Sequence, residues 1–125
     1  DPKLMENCAR RGVALEMCPS SNIEVHGFSH PELFGMLPTY PLREYLDAGL
    51  RVCICTDNPF ISRTDSTNEY IMASLMIGGI QLGELLGLVW DSFDCSFLPR
   101  VRKISLQTSV DEEIREILEK EFGTN

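Results

Sequence analysis

Two short apolar runs punctuate the chain, and each ends in polar residues next to a proline. The first covers residues 13–18 and contains a single charge, Glu16. The second begins at Leu50 or Arg51 and continues to residue 55 without another charge. Such runs are typical of strands buried on both faces, and Pro19 and Pro59 would end them. We therefore predict two strands, each with polar residues at its C-terminal end.

Most of the remaining apolar positions recur at helical spacing. Gly12 and Gly49 are suited to end the first two helices, and Ser66 or Thr67 to cap the third. Residues 23–40 contain glycines and prolines without periodicity, which predicts a long loop. Residues 105–109 are poor in helix formers, so the last helix could break there. The predicted helices span residues 3–11, 41–48, about 69–77, about 82–93 and about 99–122.

The order of elements is helix, strand, long loop, helix, strand, then three or four helices. Parallel strands are normally covered on both faces, so two of them cannot form a stable sheet alone. The order therefore indicates an α/β fold. The chain is predicted to form the closing, C-terminal portion of a (β/α) barrel, with two parallel strands plus C-terminal helices.

Composition narrows the class of protein. The chain has 125 residues, of which 43% are hydrophobic, and a formal net charge of -8. That charge argues against binding to nucleic acid through its phosphates, which requires a basic face. No apolar run reaches the roughly 18 residues of a membrane span, and residues 1–3 show no signal-peptide pattern. The five cysteines are odd in number and several lie in apolar runs, as reduced thiols do. We expect a cytoplasmic protein that binds neither nucleic acid nor membrane.

The candidate chemistry lies where the strands end. Asp57 and Asn58 follow the second strand, at the position where α/β folds place their functional side chains. Ser20, Ser21 and Asn22 follow the first strand and favour a hydrogen-bonded loop beside the same edge. On residue physics alone, the favoured interpretation of Asp57 is a helix-capping or turn aspartate, and Asn58 could be a turn-forming asparagine.

Other polar or reactive side chains are open to more than one interpretation. Glu16 lies inside a predicted buried strand, so it needs either a structural partner or a function. Cys53 and Cys55 face the same way on their strand and are either a metal pair or small core residues. Gly78-Gly79 lacks the lysine and the spacing of a phosphate-binding loop.

Two stretches resemble the last two strand ends of the adenosine deaminase family. They are LEMCPSSN at residues 15–22 and CTDNP at residues 55–59. His30-Pro31, AGLRV at residues 48–52, STNEYIMA at residues 66–73 and SFLP at residues 96–99 are also similar to the family pattern. The resemblance covers nearly the whole chain in the expected order.

The resemblance implies a metal-dependent (β/α)8 barrel that removes the exocyclic amine of adenine-type rings. It implies one divalent metal, usually zinc, held by three histidines and one aspartate, which here is Asp57. It places Asn58 against the purine, where many members have aspartate, and makes Ser21 and Asn22 candidates to support the pocket. The three histidines, the acid/base glutamate and the histidine that polarises the water would lie upstream. No His-x-His pair occurs, and we expect His26 and His30 to be exposed loop residues.

The resemblance divides the chain into the last two β/α units, residues 1–61, and closing helices, residues 62–125. Its expected partners are a purine nucleoside or base and the remainder of the barrel, and the isolated segment should be inactive. One alternative is a non-catalytic helical module that associates with itself or others through leftover barrel surface. Another keeps the barrel but changes the substrate to a different purine.

Overall fold

Two neighbouring parallel strands organise the fold, and each leads into a helix. The computed structural model describes residues 1–26 and 40–123, with only the backbone of His26. Its elements are α1 (Pro2–Arg11), β1 (Ala14–Met17), α2 (Pro19–His26), α3 (Leu42–Asp47), β2 (Arg51–Ile54), α4 (Pro59–Ser62), α5 (Ser66–Met76), α6 (Leu82–Asp94) and α7 (Arg100–Phe122).

The two strands are aligned so that their C-terminal ends lie side by side. Ala14 pairs with Arg51 at one end of the ladder and Met17 with Ile54 at the other. Val52, Cys53 and Ile54 are all buried, which confirms the prediction of a strand covered on both faces. The polar residues that follow β1 and β2 therefore emerge at one edge of the sheet.

The hydrophobic core forms around β2. Val52 and Leu42 are completely buried, and α3 and α5 pack against the strand. The other buried apolar members of this core are Met17, Tyr40, Leu50, Ile54, Ala73, Met76 and Leu88. Burial of this apolar surface holds the strand ends in place.

Local capping signals define several helix ends as predicted. Gly12 ends α1 with a φ of 64°, the left-handed conformation that glycine adopts without a steric cost. The cap of α5 was assigned wrongly to Ser66 or Thr67. Asp65 occupies that position, and its carboxylate accepts the backbone N–H of Asn68 at 2.8 Å.

The segment after β1 is a helix where a loop was predicted. Pro19 begins α2, since a residue at the first helical position needs no N–H and its fixed φ suits the helix. The predicted loop over residues 23–40 is therefore wrong at its start, and His26 ends a helix. Residues 27–39, including His30, lie outside the described residues. α3 and β2 lie close to their predicted positions.

Two further predictions are corrected, and the role predicted for Pro59 is extended. Glu16 is exposed rather than buried, so it needs no buried partner in the described structure. Pro59, which was predicted only to end the second strand, also starts a short helix, α4. α7 runs unbroken for 23 residues through the predicted weak point. The weak helix propensity of residues 105–109 is therefore not sufficient to interrupt the helix.

The chain divides into two compact units, Asp1–Ser92 and Phe93–Asn125. The first contains both strands and every predicted site residue. The predicted division at residues 61 and 62 remains a prediction. Among the described helices, none combines the length and the apolar character needed to cross a membrane.

An ion pair joins α3 to α6, and its contribution to stability should depend on pH. Arg43 donates to both carboxylate oxygens of Glu84, with Nη2–Oε2 at 3.1 Å, and lowers the pKa of Glu84 from 4.5 to about 2. A carboxylate whose pKa is lowered by folding stabilises the folded state at pH values above its unfolded-state pKa. This stabilisation is lost as the pH falls towards 2. We expect Arg43→Gln to destabilise the protein at pH 7, and by progressively less below pH 5.

Urea denaturation between pH 7 and pH 2.5 measures this dependence. Arg115→Gln, which removes an exposed guanidinium of α7, is the matched control. A destabilisation by Arg43→Gln that stays constant across the range contradicts the prediction.

Candidate functional site

The candidate site lies where β1 and β2 end next to each other. The backbone N–H of Cys55 donates to the carbonyl of Met17 at 2.8 Å, one step beyond the strand ladder. β1 then enters α2 through Cys18, and β2 continues to Asp57 and Asn58. Side chains separated widely in sequence are thus brought to one edge of the sheet.

Asp57 is held in an unusual backbone conformation and contacts α2. Its φ of 55° lies in the left-handed region, which aspartate and asparagine tolerate better than most residues. The residue is exposed, and its Oδ2 accepts a hydrogen bond from the Ser21 hydroxyl at 2.8 Å. Oδ1 has no hydrogen-bond partner within the described part of the chain. One carboxylate oxygen is therefore oriented by α2 while the other is available.

Asn58 caps α4 with its side-chain carbonyl. Its Oδ1 accepts the backbone N–H of Ile61 at 3.2 Å, and Pro59 occupies the first helical position. The helix cap suggested for Asp57 is therefore formed by Asn58, for which only a turn-forming structural role was considered. Because the cap uses only the oxygen, the amide NH₂ can still donate a hydrogen bond elsewhere.

Asn22 lies near Ser21 but has different partners. Its Oδ1 accepts the backbone N–H of Cys18 at 3.3 Å and the hydroxyl of Tyr40 at 3.0 Å. Tyr40 is buried, and desolvation raises the pKa of its phenol. No hydrogen bond joins Asn22 to Asp57 among the described residues. Asn22 therefore stabilises the start of α2, whereas Ser21 reaches the aspartate.

Glu69 is a polar side chain that the sequence interpretation missed. It is completely buried, and its Oε2 accepts the backbone N–H of Ser20 at 3.0 Å. Its Oε1 is also buried and has no hydrogen-bond partner among the described residues. Glu69, Ala73 and Met76 form the buried face of α5 at helical spacing. That spacing is the sequence signal that could have identified the buried acid.

The cysteines near the strand ends form no disulfides. Burial raises the pKa of Cys18 to about 11, and the nearby Cys55 and Asp57 raise it further. Burial also raises the pKa of Cys55. At neutral pH both thiols are therefore protonated, and the protonated thiol is not the nucleophilic form. Cys53 is buried in the strand, so the core interpretation suits this pair better than a metal pair.

The described residues can supply one ligand to a zinc ion but do not form a complete zinc site. A carboxylate oxygen is a suitable zinc ligand, and Asp57 has one oxygen free to act as one. Within residues 1–26 and 40–123, no group of three or more histidine, cysteine or acidic side chains could hold a metal. A four-ligand site would therefore need donors from outside the described residues.

Known proteins are similar in sequence to this chain over most of its length. A family model described as adenosine deaminase matches residues 1–113. The aminodeoxyfutalosine deaminase of Streptomyces avermitilis is 33% identical over 111 residues, which are 89% of this chain and 29% of that protein. The adenosine deaminase of Aliivibrio fischeri is 30% identical over 86% of this chain and 30% of that protein. The adenine deaminase of Rhizobium rhizogenes is 32% identical over 85% of this chain and 31% of that protein.

A solved structure shares the fold. The crystal structure of an adenine deaminase from Arthrobacter aurescens matches 92% of this chain and 33% of its own, with a TM-score of 0.76 and 23% identity. The two parallel strands and the helices therefore form the C-terminal part of a (β/α)8 barrel of the metallo-dependent hydrolase type. The chain spans about a third or less of the length of these proteins. It belongs to the adenosine deaminase family.

Proposed function

We propose that this chain supplies one wall of the active site of a complete barrel that hydrolytically deaminates adenosine or a related adenine compound. The observation that carries the proposal is the bond from Ser21 to Asp57 at the shared C-terminal edge of β1 and β2. Functional side chains of such barrels lie at this edge. The family membership supports the reaction class.

Asp57 would be the aspartate ligand of the zinc ion. Such an ion, when bound, lowers the pKa of a coordinated water to about 7 and so provides a nucleophile at neutral pH. The Ser21 hydroxyl occupies Oδ2 of Asp57, which leaves Oδ1 to face a ligand. The remaining ligands and the acid/base groups would come from the upstream barrel.

Asn58 would bind the purine. Its Oδ1 is held by the Ile61 N–H, which orients the amide so that its NH₂ can donate to the ring nitrogen beside the reacting carbon. A carboxylate at this position could bind that nitrogen only by sharing a proton with it. The neutral amide makes this contact independent of pH.

The contact predicts the outcome of Asn58→Asp in the complete enzyme. A carboxylate still accepts the Ile61 N–H, so α4 remains capped, but the group must be protonated to donate. We expect the variant to gain an acid-side titration in the pH profile of kcat/KM. Asn7→Asp, the same change in α1, is the matched control and should leave the profile unaltered. An unchanged profile for Asn58→Asp contradicts the assignment.

The direct test of the function uses the complete protein that contains this chain. Purified protein with zinc is assayed for ammonia release from adenosine, adenine and aminodeoxyfutalosine, the compounds named for its relatives. Turnover of one of them supports the proposal and identifies the substrate. No turnover of these or other purines favours a non-catalytic association module. The isolated 125-residue chain should not turn over any of them.

The proposed setting is the cytoplasm. None of the five cysteines forms a disulfide, as expected in a reducing compartment. The proposed partners are a purine substrate and the rest of the barrel, and the net charge of -8 argues against nucleic acid.

A further inference from the structure

A buried carboxylate with one unsatisfied oxygen is an unusual feature in the core of this protein. Glu69 has no exposed surface, and its Oε1 lacks a hydrogen-bond partner among the described residues. Burying such a group costs free energy, and an apolar side chain of similar size would avoid that cost. Its presence therefore calls for a role other than stability alone.

The satisfied oxygen of Glu69 indicates that role. Oε2 accepts the N–H of Ser20, which is one of the backbone donors that the first turn of a helix leaves unpaired. A negative charge at the start of α2 also interacts favourably with the helix dipole. Glu69 thus fixes the first turn of α2 from α5, 49 residues away in sequence.

The residue next to Ser20 is the one that contacts Asp57. The Ser21 hydroxyl donates to Oδ2 of Asp57 at 2.8 Å, and this bond selects which carboxylate oxygen stays free. A shift of the first turn of α2 would move that hydroxyl away from Asp57. Two hydrogen bonds and the peptide bond between Ser20 and Ser21 thus connect Glu69 to Asp57.

We propose that Glu69 is a positioning residue for Asp57, acting through the first turn of α2 and the Ser21 hydroxyl. The inference rests on the proposed function for its catalytic consequence, but its structural part stands separately. Glu69 does not touch the substrate; it determines where the Asp57 carboxylate points.

A double-mutant cycle in the complete protein tests the proposal. The variants are Glu69→Gln, Glu69→Ala, Ser21→Ala and the combination of each Glu69 variant with Ser21→Ala. Loss of groups that orient a metal ligand typically lowers activity by about 10- to 100-fold, and we expect Glu69→Ala to fall in that range at saturating zinc. Glu69→Gln retains an acceptor for the Ser20 N–H and should lose less, about 3- to 10-fold.

The coupling between the Glu69 and Ser21 substitutions distinguishes a positioning role of Glu69 from a general effect on stability. If Glu69 acts through Ser21, a Glu69 substitution made in the Ser21→Ala background lowers kcat/KM by no more than about 3-fold further. Losses that multiply overturn the proposal. Ser62→Ala is the matched control, since Ser62 also joins α2 to the segment after β2, by donating to Glu24 at 3.3 Å. It should change kcat/KM by less than about 2-fold.

A crystal structure of the complete Glu69→Gln variant provides a readout independent of activity, and is available even if Glu69→Ala fails to fold. We expect the distance from Ser21 Oγ to Asp57 Oδ2 to exceed hydrogen-bonding range in a substantial fraction of molecules. An unchanged 2.8 Å contact together with unchanged kcat/KM overturns the inference. An inactive wild-type protein overturns only the proposed function, because the displaced Ser21 contact would still support the positioning role.

Discussion

Replacing Asp57 by asparagine in the complete protein is expected to lower kcat/KM for deamination by about 1,000-fold, which corresponds to about 4 kcal/mol of transition-state stabilisation. Asparagine tolerates the left-handed φ of 55° and can still accept from Ser21, so the local fold should survive. What the variant loses is the negative charge that the proposed zinc ligand supplies. The expected effect is therefore chemical rather than conformational.

Three measurements check this expectation: steady-state kinetics, zinc content of the purified variant, and thermal unfolding. Asp111→Asn is the matched control, because Asp111 is an exposed carboxylate on α7. Its kinetics and zinc content should equal those of the wild type. If Asp57→Asn keeps more than a fifth of the wild-type kcat/KM with normal zinc content, Asp57 is not a ligand.

Truncating Leu42 to alanine is expected to destabilise the protein by about 2–5 kcal/mol, the range found for large-to-small changes in protein cores. Leu42 has no exposed surface and begins α3, which packs against β2. The lost methyl groups would leave a cavity that the close-packed core fills only in part. Because β2 carries Asp57 at its end, loosening this core also weakens support for the site.

Urea denaturation of the complete protein measures the change. Leu4→Ala is the control for the same truncation at a side chain that is 60% exposed, and it should alter the free energy of unfolding by less than about 0.5 kcal/mol. Equal effects of the two substitutions would mean that α3 does not support β2 in the assembled barrel.

The local signals in the sequence correctly located the strands and most of the helices. The uncharged run before Asp57 predicted a strand buried on both faces, and Val52, Cys53 and Ile54 are buried. Gly12 marked a helix end because its role depends on its own backbone conformation. Where two local signals competed, prediction was less reliable. Pro19 could end a strand or start a helix, and it does both.

The interactions that shape the site join residues far apart in the chain. Ser21 and Asp57 are 36 positions apart, and Ser20 and Glu69 are 49 apart. No local pattern pairs such residues, because the pairing depends on how helices pack on the sheet. Glu69 was missed for this reason: its burial against α2 follows from the packing of α5 and not from its neighbours in the chain.

The sequence by itself indicated the family, through the resemblance of its motifs, and it determined the two strands and the acid at the end of the second strand, through the pattern of apolar and polar residues. Only the tertiary structure decided that α2 begins at Pro19, that Ser21 rather than Asn22 contacts Asp57, and that Glu69 is buried. The physical reason is range: strand and helix signals are encoded by neighbouring residues, whereas hydrogen-bond partners and burial are set by the packing of distant elements.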